Sequence, residues 1–198
     1  HLPIDSTYSL VHATHITAEE RSCLIRKQAN VVICPSTEGN LGDGFFPIKA
    51  FHGEGGAWSI GTDSHVGLYP FEEIRWLDYG ARLSSKKRLS FCQSALEESS
   101  LSALTRYYQT GRRTAGLPGH GFFEVQSSFN ALIIRSDRGA LSQLNHPHGL
   151  SNLLYGQDST ALLGTIINGK WIVKNQAHSK GETLQRDFIS VLTELKNN

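Results

Sequence analysis

Three short polar clusters hold the side chains with which this 198-residue chain could do chemistry, and each follows a β-prone stretch. His12 and His15 come after Tyr8-Ser9-Leu10-Val11. The run from Ser36 to Gly44, with Thr37 and Asn40, comes after Val31-Val32-Ile33-Cys34. Asp63-Ser64-His65 closes the stretch Ala57-Trp58-Ser59-Ile60-Gly61-Thr62. A carboxylate among imidazoles suits Zn²⁺ or Fe²⁺, and an Asp at a strand end can also serve as a base. The same Asp can equally cap a turn by accepting backbone N–H bonds. His12 and His15 stand three positions apart, so a continued strand points them to opposite sides, and only a bend or helical turn brings them together. The Gly-rich run could cradle an anion, but it lacks GxGxxG and GxxxxGK[ST] and reads more simply as a tight loop. Asn145-His146-Pro147-His148 could hold a surface metal but reads more simply as a surface loop.

The elements that must position these clusters alternate. Thr17-Ala18-Glu19-Glu20 is a capping-box pattern that opens a helix ending near Gln28. The continuous apolar run 31–34, closed by Pro35, suits a strand buried on both faces. Residues 47–52 predict a short helix, and Phe71 to Leu83 a longer one with Phe71, Ile74, Leu77 and also Trp76 inward. Residues 88–112 predict one or two more. Strands separated by helices give βα units with parallel strands. In a closed parallel barrel all strand C-termini open onto one face, so the three clusters would converge there.

The character changes near Thr114-Ala115-Gly116-Leu117-Pro118-Gly119. Short β-prone pieces follow at 122–125, 131–134, 162–167 and 171–173, with Asn168-Gly169 as a hairpin turn between the last two. The chain closes on an amphipathic helix from about Gly181 to Lys196, with Leu184, Phe188, Val191, Leu192 and Leu195 on one face. The expected organisation is a partial barrel over 1–113, a small β-rich, sandwich-like domain over 114–178, and a C-terminal helix over 179–198.

Composition narrows the function classes. With 39% apolar and 19% charged residues the chain is no disordered tail. Nineteen Lys+Arg against 18 Asp+Glu give a net charge of +1, hence no global pull toward nucleic acid or an anionic membrane. Lys86-Lys87-Arg88 and Arg112-Arg113 read as solvated helix ends without an aromatic platform for bases. No apolar run approaches the roughly 18–20 residues of a membrane-spanning helix. Cys23, Cys34 and Cys92 show no CxxC spacing and read as ordinary half-buried thiols, which suits a reducing, cytoplasmic compartment. The chain starts at His1 and contains no Met, which reads as a fragment or a processed chain.

Three stretches resemble the formimidoylglutamate deiminases of the metal-dependent amidohydrolase superfamily. They are Leu10-Val11-His12-Ala13-Thr14-His15, the run from Cys34 to Pro47, and Gly61-Thr62-Asp63-Ser64-His65-Val66 with Pro70 to Leu77. The likeness is dense from about residue 8 to 83 and looser beyond 114, where 131–134 and 165–170 resemble the small β domain that ends such chains. The resemblance implies an α/β fold: the C-terminal part of a (β/α)₈ barrel, strands six to eight, then a small β-rich domain and a terminal helix. It implies one divalent metal, Zn²⁺ by preference, with a small molecule as substrate. By motif His12 ends strand six and polarises the substrate's reacting group. Asp63 ends strand eight as metal ligand and acceptor of the attacking water's proton. His15, Thr37, Asn40, Ser64 and His65 fall to supporting or substrate-side roles. The implied reaction is hydrolysis of N-formimidoyl-L-glutamate to N-formyl-L-glutamate and ammonia in histidine breakdown.

The superfamily's remaining ligands, an HxH pair, a further His and a nearby Glu, belong to strands before the sixth. The expected partner is therefore the N-terminal half of the barrel, and the fragment alone is expected to be inactive. Nucleic acid and membrane are not expected, and a homodimer is allowed at full length. Two other readings stay open at this point: another aminohydrolase of the superfamily acting on a purine-like substrate, and a non-catalytic barrel remnant.

Overall fold

The computed structural model describes residues 3–64, 67–88, 91, 99–117, 123–137, 141–142 and 149–197. His65, Cys92 and the loop at 145–148 lie outside the described residues, as does Phe122 at the start of one expected strand. The chain divides into two compact units. One gathers the described residues up to 120 and those from 143 to 158, and the other those from 121 to 142 and from 159 on. This cut differs from a linear division at 113 and 178, because the segment before residue 158 returns to the first unit.

The first unit is built on three parallel strands in the order β1 (Ser9–Val11), β2 (Asn30–Ile33) and β3 (Ala57–Ile60). Leu10 pairs with Val31, and Val31 with Trp58. The central strand carries the apolar run: Val31 and Ile33 on one face are fully buried, and on the other Asn30 is buried and Val32 half-buried. Parallel neighbours need crossovers. Helix α1 (Ala18–Lys27) makes the first, while α2 (Pro35–Leu41) and α3 (Ile48–Gly53) make the second. The expected capping box is present at α1: Thr17 accepts from the Glu20 amide at 3.2 Å and Glu20 accepts from the Thr17 amide at 2.9 Å.

Helices α4 (Pro70–Ser85) and α5 (Ser99–Thr114) follow β3, and α6 (Gly149–Gly156) packs on both. As the spacing predicts, Phe71, Ile74 and Leu77 are buried on α4, whereas Trp76 is half exposed. Trp58 is fully buried, stacks on Phe91 with centroids 5.5 Å apart, and donates its indole N–H to His52 Nδ1 at 3.1 Å. Tyr155 on α6 donates to the buried Asp78 carboxylate of α4 at 2.6 Å, and Arg82 pairs with the same oxygen. Arg75 donates to the Leu154 carbonyl at 2.8 Å. These bonds explain why α6 groups with the first unit.

One local reading is overturned. The Gly-rich run after Pro35 is not a loop throughout, because residues 35–41 form α2. Pro35 stands at the first turn, where its missing N–H costs nothing. Gly39 has open space around it and is tolerated in the helix. Gly42 ends the helix in the left-handed conformation, φ 74°, that glycine adopts without strain.

The second unit holds an antiparallel sheet of β4 (Ala131–Ile134), β5 (Leu162–Ile167), β6 (Lys170–Lys174) and β7 (Ala177–His178), in that order. Asn168-Gly169 forms the expected two-residue turn with φ of 50° and 75° at its two residues. No strand is found at 123–125, contrary to expectation. Gly164 faces the Val173 carbonyl so closely that a Cβ there would stand 2.5 Å from it. Helix α7 (Gly181–Lys196) matches the predicted span, and Leu184, Phe188, Val191, Leu192 and Leu195 are exposed on it. Among the described residues no helix is long and apolar enough to cross a membrane.

Candidate active site

The three parallel strands end together, and the polar clusters that follow them meet. His12 directly follows β1, Cys34 follows β2, and Asp63 lies three residues beyond β3. One ligand-type atom from each of His12, Cys34 and Asp63 lies within 4.8 Å of the others. This convergence is what strand C-termini in a parallel βα sheet produce.

The local backbone explains how each side chain is delivered. The His12 amide donates to the Val32 carbonyl at 2.8 Å, which carries the β1–β2 ladder one residue further. The chain then bends through left-handed conformations at His12, φ 66°, and Ala13, φ 54°. Asp63 is left-handed as well, φ 45°. Non-glycine residues in this region cost of order 1–3 kcal/mol each and persist where the surroundings hold them. They sit here at the two residues singled out for chemistry. The bend sends His15 elsewhere: it is exposed, and its ring lies beside Gly44.

His12 stands between two carboxylates. Its Nδ1 is 3.2 Å from Glu38 Oε1 and its Nε2 is 3.8 Å from Asp63 Oδ2. The imidazole is about one-third exposed, Asp63 is more open, and the Glu38 side chain is 4% exposed. Glu38 Oε1 also accepts the Cys34 amide at 2.9 Å. Burial pushes the Glu38 carboxyl above the usual glutamate range, opposed by its bonds to Cys34 and His12. Burial also pushes the Cys34 thiol up to about 11, helped by the nearby charges of Glu38, Asp63 and Glu73. That thiol is therefore protonated at neutral pH.

Thr37 and Ser36 act on the frame. Thr37 is fully buried; its hydroxyl donates to the Thr62 carbonyl at 3.3 Å and accepts the Ser64 amide at 3.2 Å, so it clasps the chain on both sides of Asp63. Ser64 thus meets the site through its backbone. Ser36 donates its amide, 3.0 Å, and its hydroxyl, 2.7 Å, to the two oxygens of buried Glu73 on α4. The residue before α2 makes no side-chain cap, and Glu73 satisfies this orphan amide from a distance. Asn40 is exposed and lines a separate recess of about 420 Å³ with Ser36, Gly39, Glu72, Glu73 and Trp76. His65 lies outside the described residues.

Two members of the site are not evident from residue type and spacing. Glu38 sits in what reads as a glycine loop, and Cys34 has no partner at metal-like spacing. The signal for both is positional, since Cys34 ends a strand and Glu38 lies one helical turn beyond it.

By fold and by sequence the chain belongs to the amidohydrolase superfamily. An amidohydrolase from Brucella melitensis superposes with a TM-score of 0.82 at 26% identity, covering 98% of this chain and 42% of that one. An adenosine deaminase from Xanthomonas campestris with bound zinc superposes at 0.80 with 21% identity, covering 98% and 43%. In sequence the chain is 32% identical over 192 residues to formimidoylglutamate deiminase of Pseudomonas aeruginosa, covering 97% of this chain and 42% of that protein. It is 25% identical over 170 residues to 5-methylthioadenosine/S-adenosylhomocysteine deaminase of Halobacterium salinarum, covering 84% and 37%. The chain thus spans about two fifths of the length of these relatives. No family model matches it.

Proposed function

We propose that this chain supplies the His12–Asp63 edge of the active site of a hydrolytic deiminase acting on the C–N bond of an amidine, with N-formimidoyl-L-glutamate as substrate. The observation that carries this reading is the meeting of His12 and Asp63, 3.8 Å apart at the ends of β1 and β3, in a chain 32% identical to a formimidoylglutamate deiminase. In this reading β1, β2 and β3 are the sixth, seventh and eighth barrel strands. The remaining strands and substrate-carboxylate contacts lie outside these 198 residues, and the product feeds histidine breakdown in the cytoplasm.

The donor set fits a single borderline-hard divalent ion, zinc by analogy with the Xanthomonas structure. Asp63 offers a half-exposed carboxylate at the strand-end face, and ligand-type atoms of His12 and Cys34 lie within 4.8 Å of it, a partial ligand set for such an ion. A bound zinc ion supplies Lewis acidity and an acidified water. Asp63 takes the proton that the attacking water loses and delivers it to the departing nitrogen, since ammonia leaves only once that nitrogen is protonated. His12 accepts an N–H of the amidine through the Nε2 lone pair and so orients the reacting carbon for attack. Thr37, by clasping residues 62 and 64, holds Asp63 in its left-handed turn.

The test is substrate competition in the complete protein. Ammonia release should be fastest from N-formimidoyl-L-glutamate, and His12→Asn should lower it about 10²–10⁴-fold. Faster release from guanine or adenosine would instead make it a purine aminohydrolase.

A further inference from the structure

We propose that Glu38 is the positioning residue of this site: it holds the His12 ring with Nδ1–H turned inward, so that Nε2 is the nitrogen presented toward Asp63 and the substrate. This rests on the reading of His12 given above, but it concerns a residue with no role in that reaction scheme. The geometry is specific. The two ring nitrogens face two different carboxylates, Nδ1 toward Glu38 at 3.2 Å and Nε2 toward Asp63 at 3.8 Å. Only the first distance is a hydrogen bond.

The direction of that bond follows from what else Oε1 does. The same oxygen accepts the Cys34 amide at 2.9 Å, so it is already an acceptor fixed to the backbone at the end of β2. A carboxyl oxygen keeps lone-pair capacity for a second donor whether the group is ionised or carries its proton on Oε2. With Oε1 accepting from both the Cys34 amide and the ring, Nδ1 is the N–H in this arrangement, and a neutral His12 leaves its lone pair on Nε2. Glu38 is 4% exposed, so it meets the site through the imidazole and not through solvent. Its own support is redundant. It lies in the first turn of α2, which Glu73 pins through Ser36, and the Cys34 amide orients its head.

Two measurements test this. In the chain labelled with ¹⁵N at its histidine rings, ¹⁵N–¹H correlations report which nitrogen of neutral His12 carries the proton. The wild type should show the Nδ1–H tautomer. Glu38→Gln, which keeps an acceptor oxygen, should retain it, and Glu38→Leu should lose it in favour of the Nε2–H form common in free imidazoles. In the complete protein, Glu38→Leu should lower kcat about 10–100-fold with KM near wild type, and Glu38→Gln should restore most of the rate. An Nε2–H tautomer in the wild type overturns the proposal, and this arm needs no variant to fold. So does a Glu38→Leu chain with the wild-type tautomer and rate. If instead Glu38 controls the tautomer but His12→Asn leaves ammonia release intact, the positioning stands and the reading of His12 as catalytic fails.

Discussion

Replacing Glu73 by Leu should loosen the frame under the site although Glu73 touches neither His12 nor Asp63. Its two carboxylate oxygens accept the Ser36 amide at 3.0 Å and the Ser36 hydroxyl at 2.7 Å, and the side chain is 1% exposed. Hydrogen bonds to charged groups contribute about 1.5–3 kcal/mol each. Leucine keeps the volume and removes both, leaving an orphan amide at the first turn of a helix without a side-chain cap of its own. Ser36 is half-buried and water can reach part of it, so the low end applies: about 3 kcal/mol in total. Glu73→Gln can keep both contacts if the serine hydroxyl turns to accept, and loses only the charge, about 1 kcal/mol. The assay is urea unfolding followed by tryptophan fluorescence in a Trp76→Phe, Trp171→Phe background, which leaves Trp58, fully buried in the same unit, as the reporter. With a slope near 2 kcal/mol/M the midpoint should fall by about 1.5 M for Leu and about 0.5 M for Gln. Equal midpoints for wild type and Glu73→Leu would show that α2 is held by packing alone, and the capping argument would be refuted.

Other consequences follow from particular contacts. Glu38 has a folded-state carboxyl above the ordinary range because burial disfavours its charge. Its contribution to stability is thus full below the unfolded value and is lost as pH rises through the folded one. Glu38→Gln does not titrate, so its stability relative to wild type should improve between pH 4 and pH 8 in paired urea titrations; a constant difference would contradict the burial argument. Cys34, with its thiol pushed up to about 11, should be alkylated at pH 8.5 at least about 100-fold more slowly than a free thiol of pKa about 8.5, as read by peptide mass mapping. A Cβ at Gly56 would stand 2.5 Å from the buried Phe51 ring and 2.6 Å from its carbonyl, so Gly56→Ala should cost about 1–3 kcal/mol in thermal unfolding. Gly39, with nothing within 4 Å on α2, should gain about 0.5–1 kcal/mol as alanine.

Much of the frame can be read from residue pattern because it rests on short-range signals. The apolar run at 31–34 suits a buried strand, and Thr17 with Glu20 is the pattern that opens a helix. Asn168-Gly169 supplies the two left-handed residues that its turn requires. The convergence of His12 and Asp63 follows from parallel topology once three strands are granted. What the pattern hides depends on partners distant in sequence. The helix at Pro35–Leu41 looks like a loop because Gly39 within it depresses its propensity and Gly42 and Gly44 follow, and Glu73, the residue that satisfies Ser36, comes from another helix. Glu38 and Cys34 join the site through that helix and that strand end, with no spacing motif to announce them. The separation of His15 from His12 depends on two left-handed residues that neither His nor Ala would suggest. The return of α6 to the first unit depends on Tyr155 meeting Asp78 and Leu154 meeting Arg75 across a long stretch of chain.

The central claim is that Asp63 carries the proton traffic of amidine hydrolysis, and Asp63→Asn in the complete protein tests it most directly. Asparagine keeps the size and removes the base. Ammonia release from N-formimidoyl-L-glutamate should fall about 10²–10⁴-fold, and the bound divalent metal per chain should fall with it. Turnover and metal content equal to wild type would contradict the account.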